Sequence, residues 1–345
     1  MFAAVLHQAK DLRIEDREPP TLAPGEVKVR FRAGGICGSD LAYYSKGKTG
    51  DFHLREPLIL GHEMAGEVAD VAPDVEGLAI GQPVAVNPSR SCGRCDYCMA
   101  GLENQCLNMR FLGSASIFPH MQGAFREYLA VPARQCVPVP EHVSFAEASM
   151  AEPLAVSLHA VRRAGPILGE EVLIVGCGPI GALVLLVARQ AGARRITVVD
   201  LAEKARETAL GLGADEAVDA RDEDRIAAWS RNRGRFGVTI EASGAPAGLD
   251  TALRAARARG RVVQLGNLPA GQSPVSANLV MSKELEYRGS FRFAEEYALA
   301  VEMIAGRRID LKPLMTHRFP VRDADQAFQV ALDRNQSMKV HLLDL

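Results

Sequence analysis

Three groups of residues in this 345-residue chain carry side chains that can do chemistry, and each has a spacing that narrows what that chemistry is. Cys92, Cys95, Cys98 and Cys106 form C-x2-C-x2-C-x7-C, with Pro88, Gly93 and Gly101 supplying turns. Four thiolates fill a tetrahedral shell. A zinc ion held there has no open position for substrate, so it serves to hold a lobe of about residues 88–110 that lacks an apolar core of its own. An iron–sulfur cluster also accepts four thiolates and stays open as the alternative. The second group joins Cys37, inside Gly34-Gly35-Ile36-Cys37-Gly38-Ser39-Asp40, to His62-Glu63 after Gly61. A single Cys or His is most often a core residue, but these three supply thiolate, imidazole and carboxylate, the ligand types zinc accepts, beside glycines that let the backbone turn around an ion. Ser39 or Asp40 is expected to cap a short helix here. Glu152 stands among Ala148, Met150, Ala151, Leu154, Ala155 and Val156. It is either a buried carboxylate in need of a charge partner or an acid in the first turn of a helix begun at Pro153, and periodicity leaves both open.

The third group is Gly176-Cys177-Gly178-Pro179-Ile180-Gly181, a G-x-G-x-x-G. Alone such a pattern is an ordinary turn; its context makes it specific. An apolar run over 172–175 precedes it, a helical pattern runs to about residue 191, and a second apolar run over 196–199 ends at Asp200, about 20 residues on. In a dinucleotide-binding βαβ unit the first glycine permits the tight turn, the second lets backbone approach a pyrophosphate, and the third lets helix pack on strand. The helix N-terminus at Pro179 and Ile180 then faces the phosphates. Asp200 takes the ribose hydroxyls and favours NAD over NADP, with Arg195, Lys204 and Arg206 as nearby cations.

Elements suited to position these groups follow in order. Short apolar runs at 2–6, 12–15, 27–32, 64–71 and 84–86, separated by Pro, Gly and Asp, give a β-rich, barrel-like first part. Residues 144–163 are helical. Beyond Asp200, helices at 202–212, 224–231 and 247–258 alternate with strands at 216–218, 238–241 and 261–265, the pattern of a doubly wound α/β sheet. The tail, with helices 295–305 and 324–333 and a strand 340–343, is expected to return to the first domain. The domains read as 1–152, 153–287 and a return segment 288–345. Lys+Arg 40 against Asp+Glu 42, without a basic block, disfavours nucleic acid and anionic membranes as partners. The apolar run 180–188 is too short to cross a bilayer, and the N-terminus lacks a signal-peptide pattern, so a soluble cytoplasmic protein is expected. Cys136 and Cys177 read as small buried fillers.

Cys37, His62-Glu63, the four-cysteine loop, Glu152 and the Rossmann unit, in this order, make the whole chain resemble the zinc-dependent medium-chain dehydrogenases. GGICGSDLAYY, ENQCLNMRFLGSASIFPH and RGSFRF are most similar to the polyol branch and its L-idonate-oxidising members. The resemblance implies a GroES-like β-barrel catalytic domain with a Rossmann doubly wound parallel sheet inserted before its last segment. It implies NAD, two zinc ions per subunit, and assembly into homodimers or homotetramers. Carried over residue by residue, Cys37 and His62 bind the catalytic zinc, and Glu63 and Glu152 are carboxylate ligands or hold its water. Ser39 touches the reacting oxygen, and Tyr43 and Arg292 contact substrate. Arg110 and Arg126, near the pocket mouth in the same match, read as surface or interface ion pairs. Two positions depart from the pattern: Ala42 replaces a histidine of the proton path, and Ala205 replaces a basic residue after the ribose acid.

The implied reaction is oxidation of a secondary alcohol of a sugar acid or a polyol such as sorbitol or xylitol. Hydride leaves readily only once the hydroxyl has lost its proton, which zinc favours at neutral pH and Ser39 accepts. Zinc with one thiolate, one imidazole and one carboxylate is neutral, so Glu63 and Glu152 are not expected both to bind it tightly during the reaction. A non-catalytic zinc and nucleotide sensor of the same fold would be missing a ligand, and none is missing here. A zinc-free quinone or enoyl reductase of this fold is disfavoured by both metal patterns.

Overall fold

The computed structural model describes residues 1–344, which divide into two units. The first comprises Met1–Glu152, Ala294–Asp333 and 339–344; the second comprises Pro153–Phe293 and Arg334–Met338. The chain therefore leaves the second unit after Phe293, six residues later than the sequence pattern suggested.

In the first unit the strand Glu26–Gly35 is central. Its Val27, Val29, Phe31 and Ala33 alternate into the core while the cationic residues between them face outward, the period of a half-buried strand. It pairs antiparallel with Glu63–Val71, Tyr128–Pro132 and Lys339–Leu343 within a seven-stranded sheet. The register is what matters for function: Gly35 lies opposite Glu63 on one side and His341 on the other. Leu58, Leu60, Met64, Val84, Val86, Phe125, Leu129, Phe328, Val340 and Leu342 fill the core.

The second unit is a six-stranded sheet, parallel throughout. Its order is Glu216–Asp219, Arg195–Asp200, Glu171–Val175, Phe236–Glu241, Ala256–Gln264, Glu286–Gly289. Chain order reverses beside Glu171–Val175, the switch point where such sheets bind dinucleotides. Leu173, Val175, Phe236, Leu249, Leu253 and Val262 form its core.

Local readings needed four corrections. The first helix, Gly38–Lys46, is capped by Cys37, and Asp40 is its third residue, accepting from Cys37 N at 3.0 Å. The 144–163 helix is two, Phe145–Ser149 and Ala151–Ala164, the first closed by a Ser144–Glu147 capping box. The helix expected over 247–258 stops at Ala255, because Ala256 is extended and opens the strand paired with Phe236–Glu241. Helix Ala277–Lys283 and strand Glu286–Gly289 were not expected. No helix among the described residues is long and apolar enough to cross a membrane.

Candidate active site

The register around Gly35 gathers the first metal group. Cys37, His62 and Glu63 present ligand atoms within 4.8 Å of one another, with His62 and Glu63 buried. Asp40, wholly buried, ties their two chain segments: Oδ2 accepts from Cys37 N, Oδ1 accepts from Gly61 N at 3.2 Å, and His62 Nδ1 lies 3.6 Å from Oδ1. The sequence suggested Asp40 only as a possible cap. Burial disfavours a charged His62, yet the charges on Asp40 and Cys37 outweigh it and hold the ring well above its ordinary range.

Lys339 is the residue that sequence reasoning missed. Its Nζ lies 2.5 Å from both carboxylate oxygens of Glu63, aligned to donate to Oε1, and donates to Ile36 O at 3.1 Å. Glu63 Oε2 accepts no well-aligned hydrogen bond and is neutralised by the same ammonium. A Cβ on Gly35 would sit 2.1 Å from that Oε2 and 2.7 Å from Lys339 Cε, so only glycine leaves room for the pair. With Lys339 the charges change. Zinc, Cys37, Asp40, Glu63, Glu152 and Lys339 sum to −1 with the three carboxylates ionised, so the lysine offsets one carboxylate and the others still oppose a further anion.

Glu152 lies in the first turn of Ala151–Ala164 and is also buried, so the two sequence readings are both met. Burial pushes it up to about 7, the His62 charge opposing and the Glu63 charge reinforcing the shift. It stands outside the three-residue cluster. Ser39 is half-exposed in the first turn of Gly38–Lys46, and its hydroxyl makes no hydrogen bond among the described residues. Tyr43 is buried and its hydroxyl accepts from Ala115 N at 3.0 Å. Arg126 makes no ion pair among the described residues; its Nε is unpartnered and burial lowers it to about 10.

Cys92, Cys95, Cys98 and Cys106 form the second cluster, their sulfurs all within 4.8 Å. Cys95 and Cys98 Sγ are 3.5 Å apart, far beyond a disulfide bond. Cys92 N and Asn108 N donate to Cys106 Sγ at 3.2 and 3.3 Å, which suits a thiolate. Cys106, Met109 and Phe111 are the lobe's small core, so four sulfurs sharing an ion would be its main scaffold.

In the second unit, Gly176 has φ +87°, and a Cβ there would meet Ser243 Cα at 2.6 Å. A Cβ on Gly181 would lie 2.0 Å from Gly176 O, whereas nothing stands within 4 Å of one on Gly178, leaving its backbone open to a ligand. Gly178 caps the helix Pro179–Gln190, with Pro179 first and Ile180 next. Asp200 ends its strand and accepts from Cys177 N at 2.6 Å and Ala202 N at 2.8 Å, fixing the carboxylate beside the loop. Ala205 is buried, which explains why no basic side chain stands there, while Lys204 and Arg206 are half-exposed. Cys136 and Cys177 are buried fillers as expected. Arg292 belongs to this unit, at φ +54°, its guanidinium 4.9 Å from the Phe291 ring centroid.

A GroES-like unit carrying a mixed thiolate, imidazole and carboxylate group, with a Rossmann unit, defines a zinc- and nicotinamide-dependent alcohol dehydrogenase. Residues 23–141 match the alcohol dehydrogenase GroES-like domain and residues 179–306 the zinc-binding dehydrogenase family. The chain is 40% identical over 315 residues to L-idonate 5-dehydrogenase (NAD(P)(+)) of Escherichia coli strain K12, covering 91% of each protein. It is 34% identical to sorbitol dehydrogenase of Bacillus subtilis strain 168, over 99% of this chain and 96% of that one. The crystal structure of L-idonate 5-dehydrogenase from Escherichia coli K-12 superposes with a TM-score of 0.93 at 38% identity, over 99% and 97% of the two chains. This protein belongs to the zinc-binding medium-chain dehydrogenase family. It is an oxidoreductase that uses zinc and NAD, and the sensor alternative falls away.

Proposed function

We propose that this enzyme oxidises a secondary alcohol of a sugar acid, L-idonate to 5-keto-D-gluconate, passing hydride to NAD. The observation that carries the chemistry is the Cys37–His62–Glu63 donor set, whose ligand atoms lie within 4.8 Å of one another with His62 and Glu63 buried. The choice of substrate is supported by the 40% identity to an enzyme of that name. Oxidation of sorbitol or xylitol is the second reading, favoured by the sorbitol dehydrogenase likeness.

Cys37, His62 and Glu63, with Glu152 directly or through water, hold the catalytic zinc; Cys92, Cys95, Cys98 and Cys106 hold the structural one. When bound, the catalytic ion favours loss of the alcohol proton at neutral pH, and NAD supplies the hydride acceptor. Ser39, whose hydroxyl is free, accepts that proton at Oγ. Ala42 offers no titratable group for a next step, so the proton leaves half-exposed Ser39 to solvent. Asp40 keeps Cys37 and His62 in place, and Lys339 fixes one carboxylate oxygen of Glu63 and balances its charge. Tyr43 contacts substrate hydroxyls with the proton its hydroxyl still has to donate. Gly176, Gly178, Pro179, Ile180 and Gly181 receive the pyrophosphate, and Asp200 and Lys204 the adenosine ribose. A catalytic domain of residues 1–152 resumed from 294, a nucleotide domain over 153–293, a cytoplasmic location and a homodimer or homotetramer complete the proposal. Seven free cysteines suit a reducing compartment.

Arg292 is the proposed substrate anchor, since a guanidinium fork can grip a carboxylate with two hydrogen bonds. Kinetics with L-idonate and sorbitol side by side test the substrate: kcat/KM is expected to favour L-idonate, and Arg292→Lys to raise KM for L-idonate much more than for sorbitol. Equal losses on both would make this a general polyol dehydrogenase.

A further inference from the structure

Asp219 ends the strand Glu216–Asp219 directly beside Asp200, its register partner on Arg195–Asp200. Two arginines converge on it. Arg221 grips it as a fork, Nε to Oδ1 at 2.8 Å and Nη2 to Oδ2 at 2.7 Å, and its Nη2 also donates to Leu201 O at 3.0 Å. Arg206 places Nη2 3.1 Å from Asp219 Oδ2 and donates from Nη1 to Asp200 O and Leu201 O, both at 2.9 Å. Both guanidiniums thus lie against the backbone of residues 200–201, where the adenosine ribose is assigned.

We propose that Asp219 is a specificity-determining residue for the cofactor: by engaging Arg206 and Arg221 it denies them to a 2′-phosphate, so that discrimination between NAD and NADP depends on Asp219 as well as Asp200. Asp200, Asp219, Arg206 and Arg221 together carry no net charge, so of the cations beside the ribose only Lys204 is without an ion pair among the described residues. Loss of the Asp219 charge leaves the cluster cationic, with two forks of the kind that bind phosphate in paired hydrogen bonds. Arg221 is well exposed, and an exposed ion pair is worth at most about 1 kcal/mol, so its side chain can turn to a new anion at little cost. The proposal rests on Asp200 facing the adenosine ribose, and binding without substrate separates it from any question of what the enzyme oxidises.

The experiment is fluorescence titration of the zinc-loaded protein with NADH and NADPH, with 2′-AMP and 5′-AMP as competitors. Asp219→Asn is expected to lower the ratio of the NADPH Kd to the NADH Kd about tenfold, the scale of one unit charge acting on a phosphate several ångströms away near the surface. It should strengthen competition by 2′-AMP similarly and leave NADH within about twofold. Adding Arg221→Ala to that variant should remove the gain. An unchanged ratio in Asp219→Asn, or equal weakening of both cofactors, overturns the proposal. Arg221→Ala in the wild-type background keeps the test open even if Asp219→Asn folds poorly. It leaves the acids in excess by one charge and should raise the ratio about tenfold, and a ratio that is unchanged or falls overturns the proposal. Asp200→Ala is the separate control: if it leaves the ratio unaltered, the ribose assignment has failed rather than the role of Asp219.

Discussion

Lys339→Met keeps the length of the stem and removes the ammonium from an ion pair whose side chains are 2% and 0% exposed. At 2.5 Å and an effective dielectric near 20, the attraction in that pair is about 7 kcal/mol. Removing two ions from water costs several kcal/mol each, so the intact pair contributes little net stability. Breaking it is different. Glu63 would remain buried and uncompensated beside Glu152, and Ile36 O would lose its donor, a situation that costs about 3–5 kcal/mol. Denaturant unfolding of the metal-free protein should therefore show Lys339→Met destabilised by roughly that amount, with much of the loss recovered by adding Glu63→Gln. Zinc analysis should show the Cys37–His62–Glu63 site depleted while the four-cysteine site keeps its ion. A variant within about 1 kcal/mol of wild type, or an effect simply additive with that of Glu63→Gln, would refute the pairing.

Cys95→Ser should lower the melting temperature or disturb assembly and cost one zinc equivalent, because the lobe's own core is only Cys106, Met109 and Phe111; unchanged stability and zinc content would contradict this. Gly181→Ala puts a methyl group 2.0 Å from Gly176 O, so NADH binding should weaken by about tenfold or more with zinc content unchanged, as titration would reveal. His341 is lowered to about 3 by burial first and by the Lys339 and Arg318 charges next, the Ala146 carbonyl opposing, and neither ring nitrogen has good hydrogen-bond geometry to a partner. Its folded value lies below the unfolded 6.5, so its contribution is complete above pH 6.5 and is lost as pH falls toward 3. Between pH 8 and 5 this one residue should cost about 2 kcal/mol of stability, and His341→Leu should remove that part of the acid sensitivity in unfolding curves measured at both pH values.

Both metal groups and the glycine loop were legible because each is local: ligand spacing, turn glycines and a strand–loop–helix context sit within a few dozen residues. Asp40 was legible only as a cap, since its second task, holding Gly61 N, spans 21 residues. Lys339 could not be found that way. It opens a short apolar strand, and what makes it part of the site is pairing between Gly35 and the last strand, which brings it to Glu63 across 276 positions. The helix drawn over 247–258 followed the alanine-rich propensity of ALRAARA, and parallel pairing with Phe236–Glu241 overrode it from Ala256 onward. Asp219 and Arg221 carry no signal in the sequence: strand register sets Asp219 beside Asp200, and Arg221 follows through its fork on Asp219.

The most direct test of the central claim is NADH formation by purified, zinc-analysed protein given NAD and L-idonate, beside the same protein after Cys37→Ser substitution. The account predicts turnover by the wild type and its loss in the variant, which should lack the catalytic zinc, keep the structural one, and still bind NADH. Wild-type protein with both sites filled that forms no NADH from L-idonate, sorbitol or xylitol, or a Cys37→Ser variant that turns over normally, would contradict it.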